Sequence, residues 1–354
     1  MVEKEPPECQ RERRSHRWDR EISGGQTRTL IMEGDKRGLL PKYLDINLSK
    51  RMNKYNNQKK ISVIIPSVNG LPIIKECLES IYRQKNSTIA EVIVVDCSNE
   101  HTRKVIAESF KEIILIHPKR KMSIPELRAI GIKEARYELL ALIEDHCLVP
   151  ENWFTEMIKA HESDYVAIGG AVENACHEKV LDWATFFCEY SAFIQPVPFS
   201  PVRELPGNNV SYKRNKIQDV LNDAIDKGVW EGFLHQKLIE QGYELFSTPS
   251  LVVFHKKSFS FFEFLVQRFY YSQSYAGMRS SEFPFAKRVI YSIFCLFLPF
   301  MLIFRICVRV IPKGKLRKEL ALSAPLLFIF TTVWAIGECW GYLFGMGNSL
   351  LYIK

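Results

Sequence analysis

The sequence predicts an α/β fold in which a doubly wound, mostly parallel sheet is covered by helices on both faces. Short β-branched apolar runs alternate with helix-length stretches four times between residues 61 and 143. Polar side chains follow several of these runs directly, at the strand ends where such sheets bind ligands. Apolar residues make up 47% and charged residues 25% of the 354 residues, which is globular usage and excludes a disordered or fibrous chain.

The elements follow one another in the order that parallel strands need, because a helix separates each strand from the next. The first strand is uninterrupted and apolar, which indicates burial on both faces. The predicted strands are Ile61–Pro66, Glu91–Asp96, Ile113–His117, Leu139–Ile143, Tyr165–Val172 and one ending at Phe254. The predicted helices are Pro72–Gln84, one from about His101, Pro125–Arg136, Asn152–His161 and Glu231–Gln241.

Residues 1–57 are predicted to be a flexible basic leader. The first 60 residues hold 15 Lys and Arg against 9 Asp and Glu, which accounts for most of the net charge of +8. The basic residues alternate with acidic ones and form no clean patch, so we expect no nucleic-acid partner. Nine scattered cysteines without a C-x-x-C pair favour a reducing compartment.

The second half ends in apolar segments that are candidates for membrane contact. Residues 258–284 are rich in aromatics and are predicted to form an interfacial helix, although a core helix fits equally well. Residues 285–354 are predicted to be membrane segments, because Val289–Phe304 and Leu320–Gly337 carry no charge. A basic loop between them holds Lys313, Lys315, Arg317 and Lys318.

This basic loop conflicts with two spanning helices. If both segments crossed the membrane, the loop would lie outside, against the positive-inside tendency. One alternative is that the first segment is interfacial or re-entrant and only the second spans. The others are a plain two-helix hairpin across the membrane and a buried hairpin of a soluble protein. The sequence leaves these alternatives open.

Carboxylates stand at two predicted strand ends. Asp96 follows Val94-Val95, where it opens a turn or accepts hydrogen bonds from a base or ribose. Glu144-Asp145-His146 follows the fourth strand. Adjacent carboxylates repel each other unless a cation lies between them, and carboxylate oxygens suit Mg²⁺ or Mn²⁺. This cluster therefore indicates a divalent cation that carries a diphosphate, with a helix cap as the alternative.

Four motifs occur in an order and spacing that resemble glycosyltransferase family 2, whose members have the GT-A fold. The family pattern is Pro-Thr-Tyr-Asn, Val-Asp-Asp-x-Ser, Arg-x-x-Gly and Asp-x-Asp. This chain has Pro66-Ser67-Val68-Asn69, Val95-Asp96-Cys97-Ser98, Arg128-Ala129-Ile130-Gly131 and Glu144-Asp145-His146. The resemblance covers roughly residues 60–280 and implies a GT-A domain over residues 58–257, with a smaller acceptor-side part.

The resemblance implies a donor site for a nucleotide-diphosphate sugar, with a UDP-sugar favoured. It places the base on Asp96 and Arg128, in a pocket that Pro66 and Ser67 line. The full donor-binding set that it implies is Pro66, Ser67, Asn69, Asp96, Ser98, Arg128 and Asp145. For the cation, Mn²⁺ or Mg²⁺, it implies Glu144, Asp145, His146 and His255.

On the acceptor side, the resemblance implies that Glu231 is the catalytic base of an inverting transfer. Glu231 follows Trp230 and precedes a predicted helix, where the dipole alone would also favour a carboxylate. Gly207, Asn208 and Asn209 match the family's loop beside the acceptor, although a simple turn also explains them.

The expected function is transfer of a sugar to a lipid-linked or cell-surface glycan acceptor at the cytoplasmic face of the cell membrane. The alternative is a catalytically silent GT-A domain that binds a nucleotide sugar or a glycan and anchors an assembly, because Glu144 and His146 stand where the family has two aspartates. A soluble nucleotidyltransferase is disfavoured by the apolar tail.

Overall fold

A computed structural model describes residues 18–21, 28–32, 60–84 and 89–353. Nine strands between Ile61 and His255 form one mixed sheet with helices on both faces, which confirms the predicted fold class. The strands are β3 (Ile61–Ser67), β4 (Ile89–Asp96), β5 (Ile114–Pro118), β6 (Leu139–Leu142), β7 (Cys147–Leu148), β8 (Ala167–Asn174), β9 (Ser200–Val202), β10 (Val210–Lys213) and β11 (Leu245–His255).

Two short strands extend the sheet into the predicted leader. They are β1 (Trp18–Glu21) and β2 (Arg28–Met32), and β2 pairs with β5 in parallel. Within the first 59 residues, the structure describes only these two strands, so the rest of the predicted leader lies outside the described residues. The leader is therefore a source of edge strands at these two places, which sequence patterning did not predict.

The sheet order is β1-β2-β5-β4-β3-β6-β10-β8-β11-β7, with β9 on β11. Strands from β2 to β6 run parallel, as predicted. β10 is antiparallel to both of its neighbours, β6 and β8, and so joins the two halves of the molecule. The carboxyl ends of β3, β4 and β6 thus lie along one edge beside the loop that precedes β10.

Eight helices belong to the sheet or follow it closely. They are α1 (Ile73–Tyr82), α2 (Glu100–Ser109), α3 (Ile124–Glu134), α4 (Trp153–Ala160), α5 (Val180–Tyr190), α6 (Arg214–Lys227), α7 (Glu231–Glu240) and α8 (Phe261–Arg279). Local sequence starts several of them. Asn99 caps α2 by accepting from the Thr102 N–H, and Ser123 with Glu126 forms a capping box on α3.

Alternate residues of β3 face opposite sides of the sheet and fill two cores. Val63 and Ile65 pack in a core with Leu78 of α1. Ile64 packs in the other core with Leu127 of α3. All of these side chains are fully buried, so the continuous apolar run of β3 is explained by helices on both faces.

Three further helices follow α8. They are α9 (Phe285–Phe294), α10 (Leu298–Val310) and α11 (Arg317–Phe344), and a short 3-10 turn joins α9 to α10. Phe285–Lys313 and Arg317–Phe344 are long and apolar enough to cross a membrane, judged by length and composition alone. The predicted aromatic helix is present as α8, which packs against α11.

α8 and α11 approach closely because glycines of α11 face α8. A Cβ at Gly337 would lie 2.0 Å from Ser272 Oγ and 2.4 Å from the Phe269 carbonyl oxygen. A Cβ at Gly341 would lie 2.4 Å from the Gln273 carbonyl oxygen. Only glycine fits this spacing, so α11 packs on α8 through its backbone.

We expect Gly337→Val to destabilise the protein by about 1–3 kcal/mol or more, because a side chain there would overlap the α8 backbone, which cannot rotate away. Ile336→Val is the matched control, since Ile336 is 54% exposed on the same helix. The measurement is the unfolding midpoint in detergent. Equal midpoints for the two variants would contradict the close packing.

Candidate active site

A cleft of roughly 1120 Å³ opens at the carboxyl ends of β3 and β6. Its walls come from both halves of the domain and from the helices that follow it. Arg128, Glu144 and Glu231 line it together with Trp334 from the middle of α11. A second pocket of roughly 1000 Å³, lined by Asn69, Ser98 and Lys121, adjoins it beyond β4. The cleft and this pocket share Val68, Asn69 and Ile353.

Arg128 joins two carboxylates at the centre of the cleft. Its Nη2 donates to Glu144 Oε1 at 3.1 Å, and its Nη1 pairs with Glu231 Oε1. The guanidinium also donates to the Gly207 carbonyl oxygen at 3.3 Å. The Arg128 side chain is only 3% exposed, so it is held between β6 and α7. Arg128 lines the main cleft, and its predicted contact with a base stays a prediction.

Glu231 begins α7 and faces the cleft with a side chain that is 12% exposed. Burial raises its pKa, and Arg128 opposes that rise. Gly207 lies directly against it, since a Cβ at that position would come within 2.7 Å of Glu231 Oε2. A partly buried carboxylate with a raised pKa, in contact with an arginine, suits a group that accepts a proton.

Asp145 holds the loop after β3 in place. Its carboxylate accepts from the N–H groups of Val68 and Asn69 at 3.0 and 3.1 Å, and from Asn69 Nδ2 at 2.8 Å. It also bonds His146 Nδ1 at 2.9 Å. Burial would raise the pKa of Asp145, but these hydrogen bonds and His146 lower it. Asp145 therefore positions this loop and also lines the cleft, and direct binding of the donor or a cation by Asp145 stays a prediction.

His146 and His255 face each other across the cleft floor. Their Nε2 atoms are 3.1 Å apart, and His146 Nε2 is 3.2 Å from Glu144 Oε2. Burial lowers the pKa of His255 well below its usual value. Burial and Lys257 also act to lower the pKa of His146, yet the two carboxylates raise it. The Nδ1 hydrogen bond to Asp145 orients the His146 ring, and in the neutral ring that donates from Nδ1 the lone pair is on Nε2.

These three side chains fit a divalent cation. Two imidazole nitrogens and a carboxylate oxygen converge here, since His255 Nε2 and Glu144 Oε2 lie 3.1 and 3.2 Å from His146 Nε2, and both groups are ligands of divalent metals. Glu144, His146 and Cys147 also place ligand atoms within 4.8 Å of one another. Asn208 lines the same cleft with a buried Oδ1 that has no hydrogen-bond partner among the described residues.

Asp96 and Ser67 lie beneath the second pocket. Both are fully buried, and Ser67 Oγ donates to Asp96 Oδ1 at 2.8 Å. Asp96 also accepts from Ser98 Oγ at 2.7 Å and from Arg103 Nη1 at 3.4 Å. A direct contact of Asp96 with a base stays a prediction, because in this structure its oxygens serve Ser67, Ser98 and Arg103. Pro66 lines the main cleft.

The three residues of the predicted acceptor loop separate in space. Gly207 and Asn208 line the cleft. Asn209 is fully buried: its Oδ1 accepts from Trp153 Nε1 at 3.1 Å, and its Nδ2 donates to the Ala171 carbonyl oxygen at 2.9 Å. Asn209 therefore ties the loop to the sheet and does not face the cleft.

Several cleft residues were not among the predicted site residues. Lys257 is almost fully buried near Asp145 and Glu144, and burial lowers its pKa. Arg268 of α8 pairs with Glu189 of α5 at 2.5 Å and lies 5.3 Å from the Trp334 ring. No strand-end motif marks them, since they follow the sheet or lie on helices. The aromatic stretch around Arg268 was the one available signal.

Residues 349–353 return to the cleft after α11. The Tyr352 ring stacks on Tyr270 of α8 at 4.6 Å, and Lys121 Nζ lies 5.3 Å from the same ring. Ile353 lines both the main cleft and the second pocket. The segment thus forms part of the wall shared by the two pockets.

Comparisons with known proteins agree with this geometry. Residues 62–221 match the model of the glycosyl transferase family 2. Polypeptide N-acetylgalactosaminyltransferase 12 of Mus musculus is 25% identical over 140 residues, which are 37% of this chain and 23% of that protein. An uncharacterized glycosyltransferase of Haemophilus influenzae is 32% identical over 93 residues, 26% of this chain and 31% of that protein. The match thus spans less than a third of either relative.

The mannosyltransferase PcManGT from Pyrobaculum calidifontis, solved with GDP-Man and Mn²⁺, has a similar structure. The TM-score is 0.50 at 17% sequence identity, over 80% of this chain and 87% of that one. At this identity the likeness concerns the fold alone. The structural likeness supports the GT-A fold, and residues 62–221, slightly less than half of the chain, are similar to glycosyl transferase family 2.

Proposed function

We propose that this protein is an inverting glycosyltransferase that moves a sugar from a nucleotide-diphosphate sugar to an acceptor hydroxyl. The observation that carries the proposal is Glu231, a carboxylate that faces the cleft across from Glu144 and shares Arg128 with it. In this proposal Glu231 contacts the acceptor hydroxyl, and Glu144 lies beside the donor diphosphate. The family domain supplies the fold for this chemistry.

In the proposed reaction, Glu231 accepts the proton of the acceptor hydroxyl. The oxygen attacks the anomeric carbon from the face opposite the diphosphate, a bond forms between them, and the bond to the diphosphate oxygen breaks. Because burial raises the pKa of Glu231, the carboxylate is a stronger base than an exposed glutamate. Arg128 keeps it ionised and oriented.

The donor diphosphate is proposed to lie beside Glu144, His146 and His255, which would hold a divalent cation. A bound cation would neutralise charge that develops on the leaving diphosphate. Two imidazole ligands favour Mn²⁺ over Mg²⁺, which prefers oxygen ligands. PcManGT was solved with Mn²⁺, which supports the choice of ion.

The nucleoside is proposed to occupy the second pocket, where Asn69, Ser98 and Lys121 are accessible. We keep a UDP-sugar as the favoured donor. PcManGT was solved with GDP-Man, so a screen should include guanosine donors beside the uridine donors.

We further propose that the protein acts at the cytoplasmic face of the cell membrane on a lipid-linked or glycan acceptor. Two helices are apolar enough for a membrane, and Trp334 of α11 lines the cleft beside Arg268. An acceptor anchored in the membrane would therefore meet the site next to its anchor.

Replacing Glu231 by Gln should lower sugar transfer by roughly 100- to 10,000-fold, the usual contribution of a general base. Donor binding should persist, because the amide keeps the size of the side chain. Glu240→Gln, at the exposed end of the same helix, is the control. The measurements are release of nucleoside diphosphate by detergent-solubilised protein and donor affinity by calorimetry.

Two results would count against this assignment. Full transfer by the Glu231→Gln protein would show that another group accepts the proton. Donor binding by the unaltered protein without any transfer, across a panel of nucleotide sugars and membrane-lipid extract, would instead favour the catalytically silent domain.

The rate of transfer should fall on the acid side as Glu231 is protonated, since only the carboxylate accepts a proton. Arg128 lowers the pKa of Glu231 against the effect of burial. Arg128→Gln should therefore move the acid limb of kcat/KM to higher pH by about 1–3 units. Arg128→Lys keeps the charge and should move it less. If the acid side of the kcat/KM profile stayed at the same pH in both variants, ionisation of Glu231 would not control the rate there.

Chelation by EDTA should reduce transfer by roughly 100-fold or more, and Mn²⁺ should restore it better than Mg²⁺. His255→Ala should require more Mn²⁺ for half-maximal activity, whereas His101→Ala, on the exposed start of α2, should not. Unchanged activity in EDTA would remove the cation from the proposal.

A further inference from the structure

The outer side of α9 and α10 is a continuous apolar stripe. Residues at steps of three and four, which share one side of a helix, are more than half exposed along the whole length of the pair. They are Ile290, Phe294, Phe297, Met301, Phe304 and Val308, with exposed fractions from 51% to 69%. We call this set the outer stripe. Patches of this kind on a folded protein mark a surface that binds a partner.

The opposite side of α10 is fixed to the catalytic domain. Ile306 and Val310 are buried in the same core as Phe186 and Phe187 of α5. At the turn after α10, Lys313 Nζ bonds the carbonyl oxygens of Ile194 and Pro196, which follow α5. The basic turn therefore lies against the catalytic domain.

α11 is also fixed to the catalytic domain along its length. Near its start, Leu320 and Leu327 join the core that contains β3. Phe330 packs on Phe264 of α8, with the ring centroids 4.6 Å apart. Trp334, near the middle, lines the cleft. Near the end, Tyr342 accepts from Arg279 Nη1 at 2.6 Å.

This packing is incompatible with a helix that crosses a bilayer. If α11 spanned, Trp334 would lie near the middle of the hydrocarbon, and Arg268, Glu189 and the catalytic carboxylates would lie at the same depth. Charged groups there are very costly. Moreover, both ends of α11 return to the catalytic domain, one through Lys313 and the other through Tyr352 on Tyr270.

Charge identifies the kind of surface that would cover the outer stripe. Residues 285–344 contain eight Lys and Arg but two Asp and Glu. Glu338 is one of the two, and it is engaged by Trp334 Nε1 at 2.8 Å. Lys287, Arg305 and Arg309 lie on the same helices as the stripe. An apolar stripe with flanking cations is the pattern of a helix that lies in the surface of an anionic bilayer.

We propose that α9, α10 and α11 lie along the membrane surface, with the outer stripe inserted among the lipids of an anionic leaflet and with neither long apolar segment crossing the bilayer. This inference rests on the proposed membrane association and specifies its geometry. The turn at residues 313–318, residues 349–353 and the catalytic domain are then all on one side of the membrane.

The first experiment places an epitope tag after Gly314, in the exposed turn, and another after Lys354, in separate full-length proteins. Accessibility to antibody is measured in intact spheroplasts and in inverted vesicles, with a tag at residue 1 as the reference for the catalytic side. Both tags should be accessible only in inverted vesicles, like the reference. A tag exposed on the outside would show that a helix crosses, and would overturn the proposal.

The second experiment measures flotation of the purified protein, freed of detergent, with vesicles of phosphatidylcholine alone or mixed with phosphatidylglycerol. Binding should be stronger to the anionic vesicles and weaken in high salt. Phe304→Glu, at a position that is 69% exposed, should reduce binding by roughly tenfold or more. Ile239→Glu is the control, because α7 packs on the other face of the sheet, where Leu238 lies.

Nucleoside diphosphate release in detergent is measured on the same preparations. Release by Phe304→Glu at the level of the unaltered protein shows that the catalytic site is intact, so that a loss of flotation reports on the membrane surface alone. Equal flotation of Phe304→Glu and Ile239→Glu would overturn the proposal even if transfer is active. If the stripe instead joins two protein copies, Phe304→Glu would turn a dimer into a monomer without changing flotation.

Discussion

Arg128 is the charge on which the arrangement of the cleft depends. Without it, Glu144 and Glu231 would face each other across a partly buried space with no cation between them, and burial would favour their neutral forms. The guanidinium comes from α3, while the carboxylates follow β6 and begin α7. It therefore fixes how the two carboxylates lie relative to each other. After His146 it also contributes to the lowered pKa of Glu144, and it opposes the burial that raises the pKa of Glu231. A lysine at this position would supply the charge but would not pair with both carboxylates in these positions, because the planar guanidinium of arginine directs its N–H groups to two partners at once.

Around this centre the protein uses a second layer of polar contacts to hold flexible parts. Asp145 fixes the loop after β3 and orients His146, and Asn209 fixes the loop before β10 to β8 and β11. Both residues stand inside motifs that the sequence links to ligand binding, yet their polar atoms are used within the protein. Their neighbours, Asn208 and His146, are thereby left to face the cleft. Within each motif, one residue thus positions the backbone while its neighbour faces the cleft.

The sequence alone predicts the sheet, most helix positions and the residues at strand ends, because hydrophobic periodicity and local capping determine them. Glu231 and His255 were also predicted as site residues, since each adjoins a predicted element, and both line the cleft. The sequence could not predict the hydrogen bond between Ser67 and Asp96, because that contact depends on the register of β3 against β4. Nor could it find Lys257, Arg268 or Trp334 as cleft residues. They reach the cleft through packing between segments far apart in the chain, for which no local pattern exists.

The conflict over the basic turn is removed by the packing of α11. Spanning helices would carry Lys313, Lys315, Arg317 and Lys318 to the far side, against the usual charge bias. In the structure Lys313 instead bonds carbonyl oxygens of the catalytic domain. The same apolar composition that indicates a spanning hairpin therefore also suits a helix pair with one side on protein and the other on lipid. Length and hydropathy do not distinguish the two cases, whereas Gly337, Gly341 and Trp334 favour the proposed surface arrangement, because they place α11 against α8 and beside the cleft.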